Sequence, residues 1–414
     1  MKRYVLAGAS GRGLSMFARP IVERFPDCAQ LVGVFDVNSV RAAYVAEQAG
    51  GVPVFDDFDR MVVESNSDRL IVATIDRVHH EYIIRGLEAG LDVITEKPMT
   101  IDAEKCRAIL EAERRTGRKL TVTLNYRFMP YVTRVKELLR AGSIGPVSAV
   151  DFEWFLDTRH GADYFRRWHR RKANSGGLLV HKASHHFDMI NWWLEREPAE
   201  IFARGARHVY GPTRVERGER CCTCAYAETC EFFVDLRDNA ALKALYFDAE
   251  HVDGYHRDGC VFADEIDIED TMSVTAAYDG DALLTYSLIA YAPYEGWRAT
   301  LTGTRGRMEL FVPESGPLSD VASDEIMVFD RSGLTVHSVT RSAGGHGGAD
   351  EQLWERLFRE QPVLDPLNYD AGSREGAMSM LIGAAANESI ASGQPVRIAD
   401  LLGEDEWSIN ERGR

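Results

Sequence analysis

Lys97 has a sequence position that suggests proton chemistry. It follows the short apolar run 92–95, which predicts a strand, and it precedes Pro98. In a parallel sheet the carboxyl ends of the strands line the ligand crevice. An amine whose ammonium form is disfavoured by burial or by a neighbouring positive charge can exchange a proton with a substrate. We therefore expect Lys97 to face a ligand.

A second candidate cluster follows Gly176 and Gly177, where the chain carries three histidines and an aspartate within a few residues. His181, His185 and Asp188 are spaced by four and three residues, which places them on one helical face if a single helix includes them. An imidazole, with a pKa of about 6.5, can take a proton from a hydroxyl group. The same residues suit a catalytic zinc site as an alternative, although the sequence fixes no fourth ligand.

A glycine-rich turn, Gly8-Ala9-Ser10-Gly11-Arg12-Gly13, joins the first apolar run to a helical pattern. Glycines at such a turn let backbone N–H groups approach a pyrophosphate at the start of the helix. Ser10 stands where the dinucleotide fingerprint has its middle glycine. An ordinary strand–helix turn is the alternative interpretation.

Asp36 ends the second apolar run, 23 residues beyond Gly13. A carboxylate at this place accepts hydrogen bonds from ribose hydroxyls and repels a 2′-phosphate. The next residue is Val37 rather than an arginine. The pattern favours NAD over NADP, with a helix-capping role for Asp36 as the alternative.

Alternating strand and helix patterns over the first 125 residues predict βαβ units and a parallel sheet. From residue 146 onward strand patterns separated by hairpin turns dominate, with helical patterns at 184–194, 350–360 and 373–392. The sequence therefore predicts an α/β protein with two domains, residues 1–126 and 127–414. No internal repeat is visible.

Four stretches resemble motifs of the Gfo/Idh/MocA oxidoreductases. The stretch 93–99, VITEKPM, resembles the family's Glu-Lys-Pro motif, and 73–79 resembles its Thr-Pro-Asn-x-x-His turn with Ile75 in place of proline. Stretches 125–130 and 142–145 resemble the segments that lead into the second domain. The resemblance implies an N-terminal Rossmann domain followed by an α/β domain with a large open, mostly antiparallel sheet. Such a sheet is often used for oligomer contacts, so a homodimer or homotetramer is expected.

The resemblance also assigns roles to residues. It implies that His185 is the general base or acid, that Lys97 polarises the same substrate oxygen beside the nicotinamide, and that His181, which replaces the family's usual aspartate, orients the substrate or binds a metal. The expected NAD-binding residues are Gly8, Ser10, Gly11, Arg12, Gly13, Asp36, Thr74, His79, Glu96 and Lys97.

The expected substrate-binding residues are Arg127, Arg167, Lys182, Asp188 and His346. Arg167 belongs to the run YFRRWHRRK at 164–172, which suits an anionic sugar; a solvated loop or a subunit interface is the alternative. His346 lies between glycine pairs, and similar loops occur in family branches that act on glycosides.

Four of the seven cysteines lie within residues 221–230. Cys221, Cys224, Cys230 and the more distant Cys260 are the best set for a structural zinc ion that pins an insertion near 215–262. Cys222 and His256 are substitutes in this set, and free thiols in a loop are the alternative.

Composition excludes several classes of protein. The chain has 414 residues and a net charge of −16, which disfavours binding to nucleic acid or to anionic lipid. No apolar run approaches the ~20 residues that span a bilayer. The N-terminus lacks the pattern of a signal peptide, so a cytoplasmic location is expected.

These features predict an NAD-dependent oxidoreductase that transfers a hydride between nicotinamide and a ring carbon of a sugar or glycoside. Two rivals remain. One is an NAD-dependent glycosidase that oxidises its substrate transiently, eliminates the aglycone and returns the hydride. The other is a non-catalytic NAD-binding sensor, against which the intact Glu96-Lys97-Pro98 motif argues.

Overall fold

The computed structural model describes residues 1–345, 347–359 and 364–403. Its first sheet contains six parallel strands in the order β3-β2-β1-β4-β5-β6. This order is that of the dinucleotide-binding fold. The strands are β1 (Lys2–Ala7), β2 (Ala29–Phe35), β3 (Val54–Phe55), β4 (Arg69–Val72), β5 (Asp92–Thr95) and β6 (Leu120–Val122).

Helices connect these strands, and polar side chains fix where several of them begin. Asn38, Asp57 and Asp102 each accept a hydrogen bond from the backbone N–H three residues on. The helical segments are a π-helical stretch (Gly13–Ala18), α1 (Arg19–Arg24), α2 (Ser39–Gln48), α3 (Phe58–Glu64), α4 (His79–Glu88) and α5 (Ala103–Thr116).

The second sheet contains nine strands in the order β14-β13-β12-β11-β7-β10-β9-β8-β15. Only the central pair β7–β10 is parallel, and the other neighbours are antiparallel. The strands are β7 (Val147–Asp157), β8 (Pro198–Ala206), β9 (Thr271–Tyr278), β10 (Leu283–Ala292), β11 (Gly296–Gly303), β12 (Gly306–Pro313), β13 (Ser323–Asp330), β14 (Gly333–Thr340) and β15 (Val396–Arg397).

Alternate side chains of inner strands such as β9 and β10 are buried, so one face of the sheet packs against helices. The helices of this half are α6 (Pro130–Arg140), α7 (Thr158–Arg166), α8 (Lys172–Ser175), α9 (Leu178–His181), α10 (Ser184–Leu194), α11 (Ala240–Leu242), α12 (Glu250–Asp253), α13 (Ala349–Phe358), α14 (Ser373–Ser392) and α15 (Ile398–Leu402). The predicted fold class is confirmed. The domain boundary at residue 126 stays a prediction.

A single helix that includes His181, His185 and Asp188, the condition for their sharing one face, is not formed. The N–H groups of Lys182 and Ala183 both donate to the carbonyl of Leu178, which closes α9 at His181. Helix α10 begins afresh at Ser184. His181 and His185 therefore lie on two helices and do not share a face.

Residues 207–270 form an insertion between β8 and β9. Its regular structure is limited to short helical pieces, and an antiparallel bridge between Arg220 and Gly259 joins two of its inner segments. Three cations of the 164–172 run bind it: Arg166 donates to the Phe232 carbonyl, Arg170 pairs with Glu265, and Lys172 pairs with Glu269. Most of the basic run thus holds the insertion in place.

Candidate active site

The glycine-rich turn forms a cradle that only glycine permits at two positions. Gly8 has φ +104°, and a Cβ there would lie 2.5 Å from the carbonyl carbon of Ala73. A Cβ on Gly13 would lie 2.3 Å from the Gly8 oxygen. The Ser10 hydroxyl accepts from the Gly13 N–H at 3.0 Å, which ties the turn together. This cradle fits the pyrophosphate of a dinucleotide.

Asp36 lies at the end of β2, beside this turn. Its carboxylate accepts from the Ala9 N–H at 2.7 Å and from the Asn38 N–H at 2.8 Å. Burial raises the pKa of Asp36, and Arg41, at 3.6 Å, opposes that shift. The carboxylate lies beside the glycine-rich turn, and its role in binding a ribose stays a prediction.

Glu96 and His79 connect the turns after β4 and β5. Glu96 accepts from Arg12 Nε at 2.6 Å and from the backbone N–H of Lys97 at 3.1 Å. The buried His79 ring lies 2.9 Å from the Pro98 oxygen and 3.2 Å from the Thr74 oxygen. These bonds fix the backbone that carries Lys97 at the carboxyl edge of the sheet.

Lys97 reaches from the first sheet to the helices of the second half. Its Nζ donates to the backbone oxygen of His181 at 2.8 Å. Burial and the neighbouring charge of Lys182 lower the pKa of Lys97 to about 7. An amine with this pKa can both accept and donate a proton near neutral pH.

His181 is paired with a carboxylate from the first domain. Its Nδ1 lies 2.5 Å from Asp76 Oδ2, and both groups are nearly enclosed by protein. Burial and the nearby Lys97 lower the pKa of His181, whereas burial raises the pKa of Asp76. The carboxylate orients the ring and leaves Nε2 as the nitrogen able to serve a substrate.

His185 and Lys182 contribute to an aromatic wall next to this pair. The His185 ring stacks on Tyr126 with centroids 4.3 Å apart. The Nζ of Lys182 lies 4.8 Å from the Trp154 ring centroid and 5.9 Å from that of Tyr126. Trp154, Tyr126 and His185 are buried, so these rings pack around Lys182 beside the His181–Asp76 pair.

Two of the expected substrate residues instead bind each other. Arg127 donates two hydrogen bonds to Asp188, at 2.8 Å and 2.6 Å, and its side chain is 3% exposed against 1% for Asp188. Its third nitrogen donates to the Asn368 oxygen at 3.1 Å. With the guanidinium satisfied by protein groups, we assign this pair to holding α10 rather than to the substrate.

The remaining predicted residues differ in their surroundings. Arg167 pairs with Asp163 at 3.1 Å and lies over the Tyr164 ring. His346 lies outside the described residues. Cys221, Cys224, Cys230 and Cys260 line one small cavity. Across the described ranges, no three His, Cys, Asp or Glu side chains are arranged to hold a metal ion, and His181, His185 and Asp188 do not converge.

Sequence reasoning missed a hydrogen-bonded chain beside the site. The Glu295 carboxylate lies 2.8 Å from His160 Nδ1, and His160 Nε2 lies 3.0 Å from the Tyr164 hydroxyl. The Tyr164 ring contacts the His181 ring edge-on at 5.6 Å. No motif marks Glu295, because it lies 135 residues from His160.

Glu314 is a further missed residue. The residue is exposed to solvent. Partial desolvation raises the pKa of its carboxyl, and the charge of Lys182 opposes that shift.

The parallel sheet, the glycine cradle and the Lys97–His181 contact define a dinucleotide-binding oxidoreductase. The chain belongs to the Gfo/Idh/MocA family: residues 2–124 match the model described as oxidoreductase family, NAD-binding Rossmann fold, and residues 136–398 match the C-terminal alpha/beta domain. The described residues contain no helix long and apolar enough to cross a membrane.

Relatives support the same assignment. YteT of Bacillus subtilis (strain 168), an oxidoreductase by name, is 39% identical over 97% of this chain and 99% of its own length. Inositol 2-dehydrogenase of Rubrobacter xylanophilus is 30% identical over 48% of this chain and 54% of its own. The WlbA dehydrogenase of Bordetella pertussis, solved with NADH and UDP-GlcNAcA, shares the fold, with a TM-score of 0.65, 20% identity and coverage of 96% and 98%.

Proposed function

We propose that this protein is an NAD-dependent oxidoreductase acting on a ring hydroxyl of a sugar or glycoside. The observation that carries the proposal is the contact of Lys97 Nζ with His181, whose imidazole is held by Asp76, at the carboxyl edge of the parallel sheet. NAD, when bound, supplies a nicotinamide ring that exchanges a hydride with the substrate carbon.

The protein's own residues would handle the hydroxyl proton. Lys97 binds the reacting oxygen, and its pKa of about 7 lets it share the proton with that oxygen. The neutral ring of His181, oriented by Asp76, accepts the proton at Nε2. His185 is the second candidate for this step, as the sequence motif implies, and separate variants distinguish the two histidines.

Relatives and nearby cations support the substrate class. The tilted rings of Tyr126 and Trp154, with centroids 6.4 Å apart, form buried aromatic surroundings for Lys182 beside the site. Inositol 2-dehydrogenases among the relatives act on a cyclic polyol by name. Arg167 and Lys182 lie near His181 and would favour an anionic sugar. We place the enzyme in the cytoplasm as a homodimer or homotetramer.

The Glu295–His160–Tyr164 chain favours one alternative, redox-neutral cleavage of a glycoside. Such a reaction needs a base for a ring C–H and an acid for the departing group, in addition to the group that serves the hydroxyl. The phenol of Tyr164, polarised by His160, provides a second proton carrier beside His181.

A single assay separates the two reactions. Purified protein is incubated with NAD and a panel of neutral and acidic sugars and glycosides while NADH absorbance and released sugar are followed. NADH formed in proportion to substrate supports the dehydrogenase. Sugar release without NADH, with solvent deuterium at the carbon next to the oxidised one, supports the glycosidase. Absence of both, and of any thermal shift with NAD, refutes the proposal.

A further inference from the structure

The insertion of the second half reaches back to the cofactor cradle of the first. Its residues 243–253, here named the strap, make three polar contacts there. The Gly11 N–H donates to the Tyr246 hydroxyl at 3.0 Å, and Asn38 Nδ2 donates to the Ala249 oxygen at 2.8 Å. The third contact is an ion pair between Arg41 and Asp253. All three partners in the first domain surround Asp36 and the glycine-rich turn.

The Tyr246 hydroxyl lies next to the part of the glycine-rich turn where a cofactor phosphate would bind. A Cβ on Gly11 would lie 3.4 Å from that hydroxyl and 3.9 Å from Leu245 Cδ1, so turn and strap are in van der Waals reach. A phosphate oxygen that accepts hydrogen bonds from the backbone amides of the turn would therefore lie beside the Tyr246 hydroxyl. That hydroxyl can donate a hydrogen bond to it. The guanidinium of Arg257, 4.7 Å from the ring centroid, holds the Tyr246 ring in place.

Arg41 is the residue that would bind the 2′-phosphate of an NADP ribose. It is buried on α2 with its guanidinium 3.6 Å from Asp36. An arginine at this part of the fold can accommodate the 2′-phosphate of NADP. Here Asp253 pairs with Arg41, so two carboxylates surround one guanidinium, and a dianionic phosphate would have to displace one of them.

The strap is itself held firmly. Arg220 donates to both oxygens of Glu250, at 3.1 Å and 2.8 Å, and also pairs with Asp258 at 2.7 Å. Leu245 is buried in the core. The contacts with the cradle are thus made by an ordered segment and not by a free loop.

We propose that the strap is a lid over the pyrophosphate and adenosine half of the dinucleotide site, with two consequences. Tyr246 retards release of the cofactor between turnovers, and Asp253 excludes NADP by neutralising Arg41. The proposal rests on the proposed function only in that a dinucleotide occupies this site. Cofactor retention suits either sugar reaction and is measured without a substrate.

The test uses the full chain and cofactor binding as its readout. Release of NADH is followed by stopped-flow fluorescence, and affinities for NAD and NADP by calorimetry, for Tyr246→Phe and Asp253→Asn. Asp248→Asn is the matched control, because Asp248 lies in the strap and pairs with Lys243 rather than with the first domain. Tyr246→Phe should release NADH about threefold to tenfold faster, the usual effect of one hydrogen bond. Asp253→Asn should raise the NADP-to-NAD affinity ratio about tenfold or more, as expected for a charged partner.

The outcomes of these measurements distinguish the proposed lid from the proposed function. Faster release and relaxed discrimination, with Asp248→Asn unchanged, support the lid even if no sugar is turned over. Release and discrimination equal to wild type in both variants, in protein that unfolds at the wild-type temperature, overturn the lid and leave the proposed function intact. Failure of the wild-type protein to bind either dinucleotide refutes both.

Discussion

His181 Nδ1 lies 2.5 Å from Asp76 Oδ2, and the backbone oxygen of the same histidine accepts a hydrogen bond from Lys97. In the family motifs, asparagine stands at the position of Asp76 and aspartate at that of His181. The two residues that depart from these motifs therefore contact each other, with the carboxylate on the turn after β4 and the imidazole at the end of α9. The proposed proton acceptor thus lies next to Lys97.

This pairing predicts how single and double variants behave. Asp76→Asn should lower kcat by about 10²–10⁴, because the ring loses the carboxylate that fixes its tautomer. His181→Asn should lower kcat by a similar factor, and the two losses should not add. The double variant Asp76→Asn/His181→Asp restores the family's arrangement and should recover part of the activity, as measured by steady-state kinetics on the substrate identified in the assay above.

His185 supplies the contrast for that experiment. His185→Asn removes the ring that stacks on Tyr126 while leaving the Asp76–His181 pair unchanged. A loss of kcat in His185→Asn alone, with His181→Asn near wild type, would transfer the proton-accepting role to His185. Independent, additive losses in Asp76→Asn and His181→Asn would show that the pair does not act as a unit.

Lys97 should make stability depend on pH in a defined direction. Its pKa is about 7 in the folded protein, against about 10.4 in an unfolded chain. Between these values the unfolded chain binds one more proton, so the free energy of unfolding should rise with pH. Below pH 7 the Lys97 amine is protonated in both the folded and the unfolded protein, so its contribution to the free energy of unfolding no longer changes with pH. In this range the buried positive charge destabilises the folded protein most.

Removal of the amine tests this directly. From pH 7 to 9.5 the wild-type protein should gain about 2–3 kcal/mol more than Lys97→Met, as measured by urea unfolding at each pH. Lys119→Met, which removes an exposed lysine from the same domain, should follow the wild type. Parallel pH curves for wild type and Lys97→Met would contradict the lowered pKa.

Sequence patterns predicted those helices and strands well whose own residues carry the pattern. The helices predicted at 184–194 and 373–392 coincide with α10 and α14, because apolar spacing marks both helices and Gly372 and Gly393 flank α14. Strand β8 was missed, since PAEIFARGA has only one β-branched residue and reads as a mixed polar segment. Its strand conformation depends on pairing with β9, more than sixty residues later.

The site was predicted in part for the same reason. Motifs placed Lys97, Asp36 and the glycine turn, because short-range backbone geometry requires those residues. Ion pairs such as Arg127–Asp188 join segments that are distant in the sequence. The spacing of residues therefore cannot show that two expected substrate-binding residues bind each other. The strap contact between Tyr246 and Gly11 spans 235 positions and was likewise invisible.

The buried Arg127–Asp188 pair should be structural. Asp188→Asn leaves an uncompensated buried guanidinium and should lower the free energy of unfolding by about 3–5 kcal/mol. The double variant Arg127→Met/Asp188→Leu should lose less than the sum of the single changes, because no charge is left unpaired. Chemical denaturation measures both. A stable Asp188→Asn protein with a raised KM would instead restore the substrate role that the sequence suggested.

The last prediction concerns the structural zinc ion that the sequence suggests, because among the described residues the thiols of the cysteine cavity are free and are not arranged as metal ligands. Cys221, Cys224, Cys230 and Cys260 line one cavity of about 20 Å³, and Arg214 donates to the Cys230 sulfur at 3.2 Å. Zinc binds thiolates at about 2.3 Å and would draw the four sulfurs inward. Protein purified without added zinc should contain about one equivalent per chain by mass spectrometry of the metal.

Variants test whether zinc binds at these cysteines. Cys224→Ser should lower the zinc content and the temperature of unfolding, whereas Cys28→Ser, which changes a half-buried cysteine of the nucleotide domain, should retain both. The tie between Arg220 and Glu250 connects the cysteine region to the strap, so loss of zinc should also speed NADH release. Less than about half an equivalent of zinc in the wild type, with all thiols titratable, would show that the cavity holds free thiols.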